Sequence, residues 1–224
     1  MKIVLIAANN PETIRMINAV LKESPDLKVE GFLDNDKGKI GTDYFGYKVI
    51  GGTKNIDKNI IDSCFFINLI TRDMPTRFSV SQEVVLQGGR FANFIHPSVN
   101  LEMVRLGKGN YLQESVVVQA GVEIGNNSSI HIGAMIGHES KIGNSSFIAH
   151  GCNLSGFTTI EDGVFLGAGV TTVPRIKIGK WSVIGAGAVL TKDIAPYSIA
   201  VGNPARVIRT IEPKMESGDI FVSA

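Results

Sequence analysis

Along the first part of the chain the spacing of apolar positions switches between two periods. Lys2 to Ala8 is a β-type run. Pro11 to Lys22 puts Ile14, Ile17, Val20 and Leu21 at helical spacing with a proline near the start, and Lys28 to Asp34 is a second strand. A strand, a helix and a strand in that order predict a βαβ unit with parallel pairing. Cys64 to Ile70 reads as a later strand, Pro75 to Gln87 as a helix and Phe91 to Ile95 as a closing strand. Residues 1–95 are therefore expected to form a small Rossmann-like α/β domain.

From about Leu101 the pattern changes. Every sixth residue from position 106 to position 190 is Ile, Leu or Val, with Thr172 as the one break. Gly often follows, as at 107, 125, 137, 143, 167, 179 and 185. The residue four places on is small or β-branched, as at Ser128, Ala134, Ser140, Ser146, Cys152, Thr158 and Val164. A period of six fits neither a helix nor a hairpin meander. It fits a parallel β-helix in which the aliphatic residue of each hexad fills a central column. Three hexads per coil make a triangular prism in which residues i and i+18 stack. The expected division is 1–95, a β-helix over 96–210, and a C-terminal tail, 211–224.

Charge narrows the class of partner. With 22 Lys and Arg against 21 Asp and Glu the net charge is +1, so no global field recruits nucleic acid or an anionic membrane. Cys64 and Cys152 make neither a disulfide framework nor a zinc-type CxxC pair. The opening apolar run, Ile3 to Ala8, is too short for a signal-peptide core or a bilayer span, so the expectation is a buried strand in a cytoplasmic protein.

Open parallel sheets bind ligands at the carboxyl ends of their strands. Here those loops offer Asn9, Asn10, Asp34, Asn35 and Thr71, with Asn68 slightly earlier. The first loop reads AANNPE and has no GxGxxG, which disfavours a dinucleotide. In the repeat region one hexad carries His138-Glu139 where the prism should turn a corner. Along a straight strand adjacent side chains point to opposite faces, and a corner lifts that restriction. A carboxylate beside the imidazole would fix the tautomer that leaves the other nitrogen free to accept a proton.

The repeat resembles the left-handed β-helix of hexapeptide-repeat acyltransferases, and the ending VGNPARVI, Val201 to Ile208, adds to the likeness. With the N-terminal domain and the His-Glu pair, nearly the whole chain resembles bacterial nucleotide-sugar acyltransferases of the bacillosamine, perosamine and sialic-acid O-acetyltransferase type. That resemblance implies acetyl-CoA as co-substrate and a nucleotide-linked amino sugar as acceptor. It implies His138 as general base, Glu139 as its partner, and a homotrimer with sites between subunits. His150, Ala168 and Ala186 stand 18 apart and would form one column for coenzyme A, joined by Pro204 and Arg206 of the ending. His131, at the outward position after Ile130, is a candidate contact near the reacting group.

Two positions depart from the pattern. The first loop lacks the relatives' glycines, and Phe147 stands where the nearest subgroup has a coenzyme-A-contacting histidine, so that contact would pass to Phe147 or His150. Three other readings remain at this stage: sugar O-acetylation, a zinc hydratase using His131, His138 and His150, and a non-enzymatic trimeric binder of sugar nucleotides.

Overall fold

The computed structural model describes residues 1–71 and 73–212. The N-terminal domain runs β1 (Lys2–Ile6), α1 (Glu12–Glu23), β2 (Lys28–Leu33), β3 (Asp43–Tyr44), β4 (Tyr47–Gly51), α2 (Lys58–Ser63), β5 (Phe65–Asn68), α3 (Met74–Leu86) and β6 (Arg90–Phe91). Its sheet has the order β3-β4-β2-β1-β5-β6, parallel except for the β3–β4 hairpin. α1 starts where the Asn10 side-chain oxygen accepts the Glu12 N–H at 3.0 Å. The Asp73 carboxylate caps α3 through the Thr76 N–H, with Pro75 in the first turn.

Three elements, β3, β4 and α2, were not anticipated by the apolar pattern. The closing strand expected over 91–95 is in fact two. Arg90–Phe91 completes the first sheet beside β5, whereas β7 (Phe94–Ile95) pairs with Tyr111–Leu112 and opens the second domain. Ala92 and Asn93 therefore mark the change of domain. Of the tail expected over 211–224, only Ile211 and Glu212 fall within the described residues.

Two-residue strands then recur every six residues from Arg105–Leu106 to Val189–Leu190, the second residue of each being the hexad aliphatic. Each pairs in parallel with the strand 18 residues on, as in Ile124 with Ile142 and Ile130 with Ile148. Three flat faces result. The first carries Leu106, Ile124, Ile142, Ile160 and Ile178, the second Leu112, Ile130, Ile148, Leu166 and Ile184, and the third Val118, Ile136, Leu154, Thr172 and Leu190. The second face ends in Ser198–Val201 and the antiparallel Arg206–Thr210.

The hexad positions work for distinct reasons. The aliphatic side chains fill the axis. The residues four places on are buried at the corners, where their side chains satisfy backbone carbonyls, as Ser128 Oγ does to the Gly143 carbonyl at 2.8 Å and Ser146 Oγ to that of Glu161 at 3.0 Å. Gly167 is required by close approach, because a β-carbon there would sit 2.6 Å from the Ala186 nitrogen. Thr172 is tolerated in the aliphatic column because its hydroxyl accepts the Ser155 N–H at 3.0 Å and meets Thr158 Oγ1 at 3.0 Å.

Ile148 lies in this column with no exposed surface. Ile148→Ala is expected to destabilise the chain by about 2–5 kcal/mol, read from denaturant unfolding, since neighbouring coils hold their spacing and cannot collapse on the void.

The two domains are joined by a buried arginine. Arg77 on α3 donates from Nε to the Asn127 carbonyl at 2.7 Å and from Nη1 to the carbonyls of Asn68 and Ile70, each at 2.8 Å. Burial pushes its pKa down to about 9. Phe78 meets Trp181 edge-on, and Tyr111 packs into one core cluster with Met16 and Ile17 of α1, so the N-terminal domain covers the outer side of the second face.

Candidate active site at two edges of the prism

His138 and Glu139 occupy the corner between the third and first faces. Glu139 takes φ 55°, the left-handed conformation that lets the chain turn between two flat faces. The turn brings the adjacent side chains together, with His138 Nδ1 3.2 Å from Glu139 Oε2. Both side chains are more than half exposed. The backbone holds the corner in place: the His138 N–H donates to Gln119 Oε1 at 2.8 Å, and its carbonyl accepts the Phe157 N–H at 2.9 Å.

The coil above shapes the pocket for the ring. A β-carbon on Gly156 would lie 2.7 Å from His138 Nε2, so the imidazole rests directly over that glycine. With Nδ1–H donated to the carboxylate, Nε2 keeps a lone pair and has no hydrogen-bond partner among the described residues. Gln119, Gly156 and Phe157 were not foreseen in the sequence. Gly156 and Phe157 were within reach, because each lies one coil of 18 residues beyond His138 and Glu139.

The opposite edge of the third face holds the second group. His150, Ala168 and Ala186 are all exposed and form one column: the Gly169 N–H donates to the His150 carbonyl at 2.9 Å and the Gly187 N–H to that of Ala168 at 2.8 Å. Pro204 follows 18 residues after Ala186, and both it and Arg206 are exposed at that end of the prism. The same column begins with Glu114, whose carboxylate pairs with Arg15 Nη2 of α1 at 3.3 Å. The start of α1 therefore lies on the same edge.

Phe147 and His131 lie elsewhere than expected. Phe147 is buried, stacked on Phe165 at 4.9 Å and 4.6 Å from the His131 ring, so coenzyme A cannot stack on it as the chain stands. His131 is buried beneath the N-terminal domain, with Nε2 2.9 Å from Ser129 Oγ. Burial, helped by nearby His150 and Arg77, pushes its pKa down to about 3, so it stays neutral. It lies at the domain junction, with its ring 5.1 Å from that of the exposed His150.

In the N-terminal domain Asn9 is exposed and Thr71 half-buried at the expected loops. Asp34 draws two of these loops together. Its Oδ2 accepts the Ala8 N–H at 3.1 Å and Lys39 Nζ at 2.9 Å, and its Oδ1 accepts the Asp36 N–H. Burial works to raise its pKa, but the Asp36 amide, Lys39 and the Ala8 amide outweigh it and hold the carboxyl below its ordinary value. The Asn35 amide is engaged with Thr53, donating to Oγ1 at 2.9 Å and accepting the Thr53 N–H at 2.8 Å. Asn68 corrects the expectation most clearly. It is fully buried, its amide donating to the Arg77 carbonyl and Ser81 Oγ, so it ties β5 to α3 rather than facing solvent.

The profile of the Bacterial transferase hexapeptide (six repeats) family matches residues 157–192. The match lies within the repeat region and covers only part of it. A stretch of 53 residues is 58% identical to a candidate acetyltransferase of Schizosaccharomyces pombe, and one of 63 residues is 46% identical to another of Staphylococcus aureus. These matches cover 24% and 28% of the chain, and the chain spans only 26% and 32% of those relatives' lengths.

Solved structures extend the likeness to both domains. WeeI from Acinetobacter baumannii superposes with a TM-score of 0.79 at 23% identity, covering 93% of this chain and 100% of its own. The acetyltransferase domain of PglB from Neisseria gonorrhoeae gives 0.78 at 22%, covering 92% and 99%. A mutant GDP-perosamine N-acetyl transferase from Caulobacter crescentus, in complex with CoA and GDP-perosamine, gives 0.77 at 23%, covering 92% and 96%. The fold is an α/β domain followed by a left-handed parallel β-helix. Among the described residues no helix is long and apolar enough to cross a membrane.

Proposed function

We propose that the chain is a cytoplasmic acetyl-CoA-dependent N-acetyltransferase acting on the amino group of a nucleotide-linked amino sugar. The observation that carries this reading is the His138–Glu139 pair, held at 3.2 Å on an exposed corner with Nε2 unpartnered over Gly156. His138 Nε2 takes a proton from the amine as its nitrogen bonds to the thioester carbonyl. The C–S bond then breaks, and the proton passes to the departing thiolate. Glu139 stabilises the imidazolium and holds the ring in the required tautomer. Solved neighbours in complex with acetyl coenzyme A, or with CoA and GDP-perosamine, support the choice of both substrates.

The distribution of side chains over the prism supports a trimer. The first face is a charged ladder, with Glu123 paired to Arg105 and Lys141 and Glu161 paired to Lys177. The second is covered by the N-terminal domain. The third presents Val117 and Met135, 51% and 44% exposed, and then Asn153, Thr171 and Val189. Packing copies through that face sets the His138 edge of one against the His150 edge of the next. Base, donor column and the loops around Asn9 and Asp34 are then gathered from two chains.

A coupled thiol-release assay over nucleotide-linked 4-amino and 3-amino sugars and their hydroxyl counterparts tests the reading. Turnover is expected with an amino sugar. Turnover with hydroxyl acceptors alone would replace it with sugar O-acetylation, and no release with any acceptor would favour a non-catalytic binder.

A further inference from the structure

We infer that Phe157 and Arg175 form a pillar that positions the His138 ring, Phe157 by direct contact and Arg175 through Phe157. The inference rests on the proposed role of His138 as base and adds two residues to it. The Phe157 ring meets the His138 imidazole edge to face, with centroids 5.0 Å apart and planes at 81°. The Arg175 guanidinium lies over the other ring, 4.3 Å from the Phe157 centroid. Backbone bonds follow the same stack: the Phe157 N–H donates to the His138 carbonyl at 2.9 Å and the Arg175 N–H to that of Gly156 at 3.1 Å.

The column sets this arrangement apart from an ordinary surface cluster. Gly121, Glu139, Phe157 and Arg175 follow one another at 18-residue intervals, all with positive φ, where residues bearing a β-carbon are disfavoured. Gly133, Gly151, Gly169 and Gly187 fill the matching column at the other edge of the third face. The edge that holds the base thus carries a large aromatic and an arginine where the other edge carries glycine.

The physical effect follows from exposure. His138 is more than half exposed, and a single 3.2 Å contact to a neighbouring, equally exposed carboxylate does not fix a ring that can rotate about two bonds. Gly156 and Phe157 confine the ring with Nδ1 toward Glu139 and Nε2 over Gly156. The cation over Phe157 attracts the ring electrostatically and holds it upright.

The test combines kinetics with imidazole NMR of the resting protein, in which His138 is one of only four histidines. In Phe157→Leu, kcat is expected to fall roughly tenfold or more with KM for both substrates unchanged, as a misoriented base requires. The His138 resonances should shift toward a mixture of tautomers. Phe157→Tyr should restore both. Arg175→Gln should produce a smaller drop alone and none in the Phe157→Leu background. Being a surface change, it also gives an answer if Phe157→Leu folds poorly. Wild-type kcat and unaltered His138 resonances in Phe157→Leu would overturn the proposal. So would an Arg175→Gln increase in KM that is the same in both backgrounds, because Arg175 would then contact substrate directly. The NMR arm needs no substrate. Tautomer mixing together with unchanged activity would preserve the pillar and remove the catalytic reading instead.

Discussion

His138→Ala is expected to lower kcat for thiol release by about 10²- to 10⁴-fold, the range for losing a positioned general base, with KM for acetyl-CoA little changed. The side chain is more than half exposed. The contacts that hold the corner are made by its backbone: the N–H to Gln119 and the carbonyl from Phe157. Alanine keeps both, so unfolding midpoints should match the wild type and the loss can be read as chemistry. Residual turnover is expected because alignment of amine and thioester does not depend on the imidazole. Unchanged thiol release from a folded His138→Ala protein would end the case for this base.

Legibility in the sequence followed the range of the interactions. In a solenoid each coil contacts only its neighbours, so a local period reports the tertiary core directly. The hexad column from Leu106 to Leu190 accordingly appears unaltered as the buried axis, including Thr172, whose hydroxyl is satisfied by residues of the coil before it. β4 was not legible, because of Tyr47–Gly51 only Val49 is buried and no alternation marks the segment. His131 and Phe147 show a different limit. Both sit at or beside outward strand positions, and the repeat alone places them toward solvent or ligand. They are buried on the side that the N-terminal domain covers, and that junction includes Arg77, a helix residue whose charge gives no hint that it is wholly enclosed. Asn68 shows a related limit: a polar residue at a strand's carboxyl end suits a ligand site and a buried tie between strand and helix equally well.

Met135→Glu is expected to convert the assembly to single chains and to reduce turnover by roughly a hundredfold or more. Met135 is the outward residue of the strand that ends in Ile136, the second of the five strands of the third face, and lies three residues before His138. In a lone chain the new carboxylate would stay in water, because this position is 44% exposed, and the coil should keep most of its stability. In a trimer packed through this face three such carboxylates would be brought together and desolvated without partners, a cost of several kcal/mol that the remaining contacts of Val117, Thr171 and Val189 must outweigh. Sedimentation equilibrium separates one chain from three, and thiol release on the same sample reports whether a single prism can act. Monomers that retain full activity would show that the His138 and His150 edges do not need each other across a boundary. Trimers that retain it would place the contact on another face. The third face is nevertheless the one to test, because among the described residues the first is a paired charge ladder and the second lies beneath the N-terminal domain, which leaves the apolar strip around Met135 as the uncovered flat surface bordered by both halves of the site.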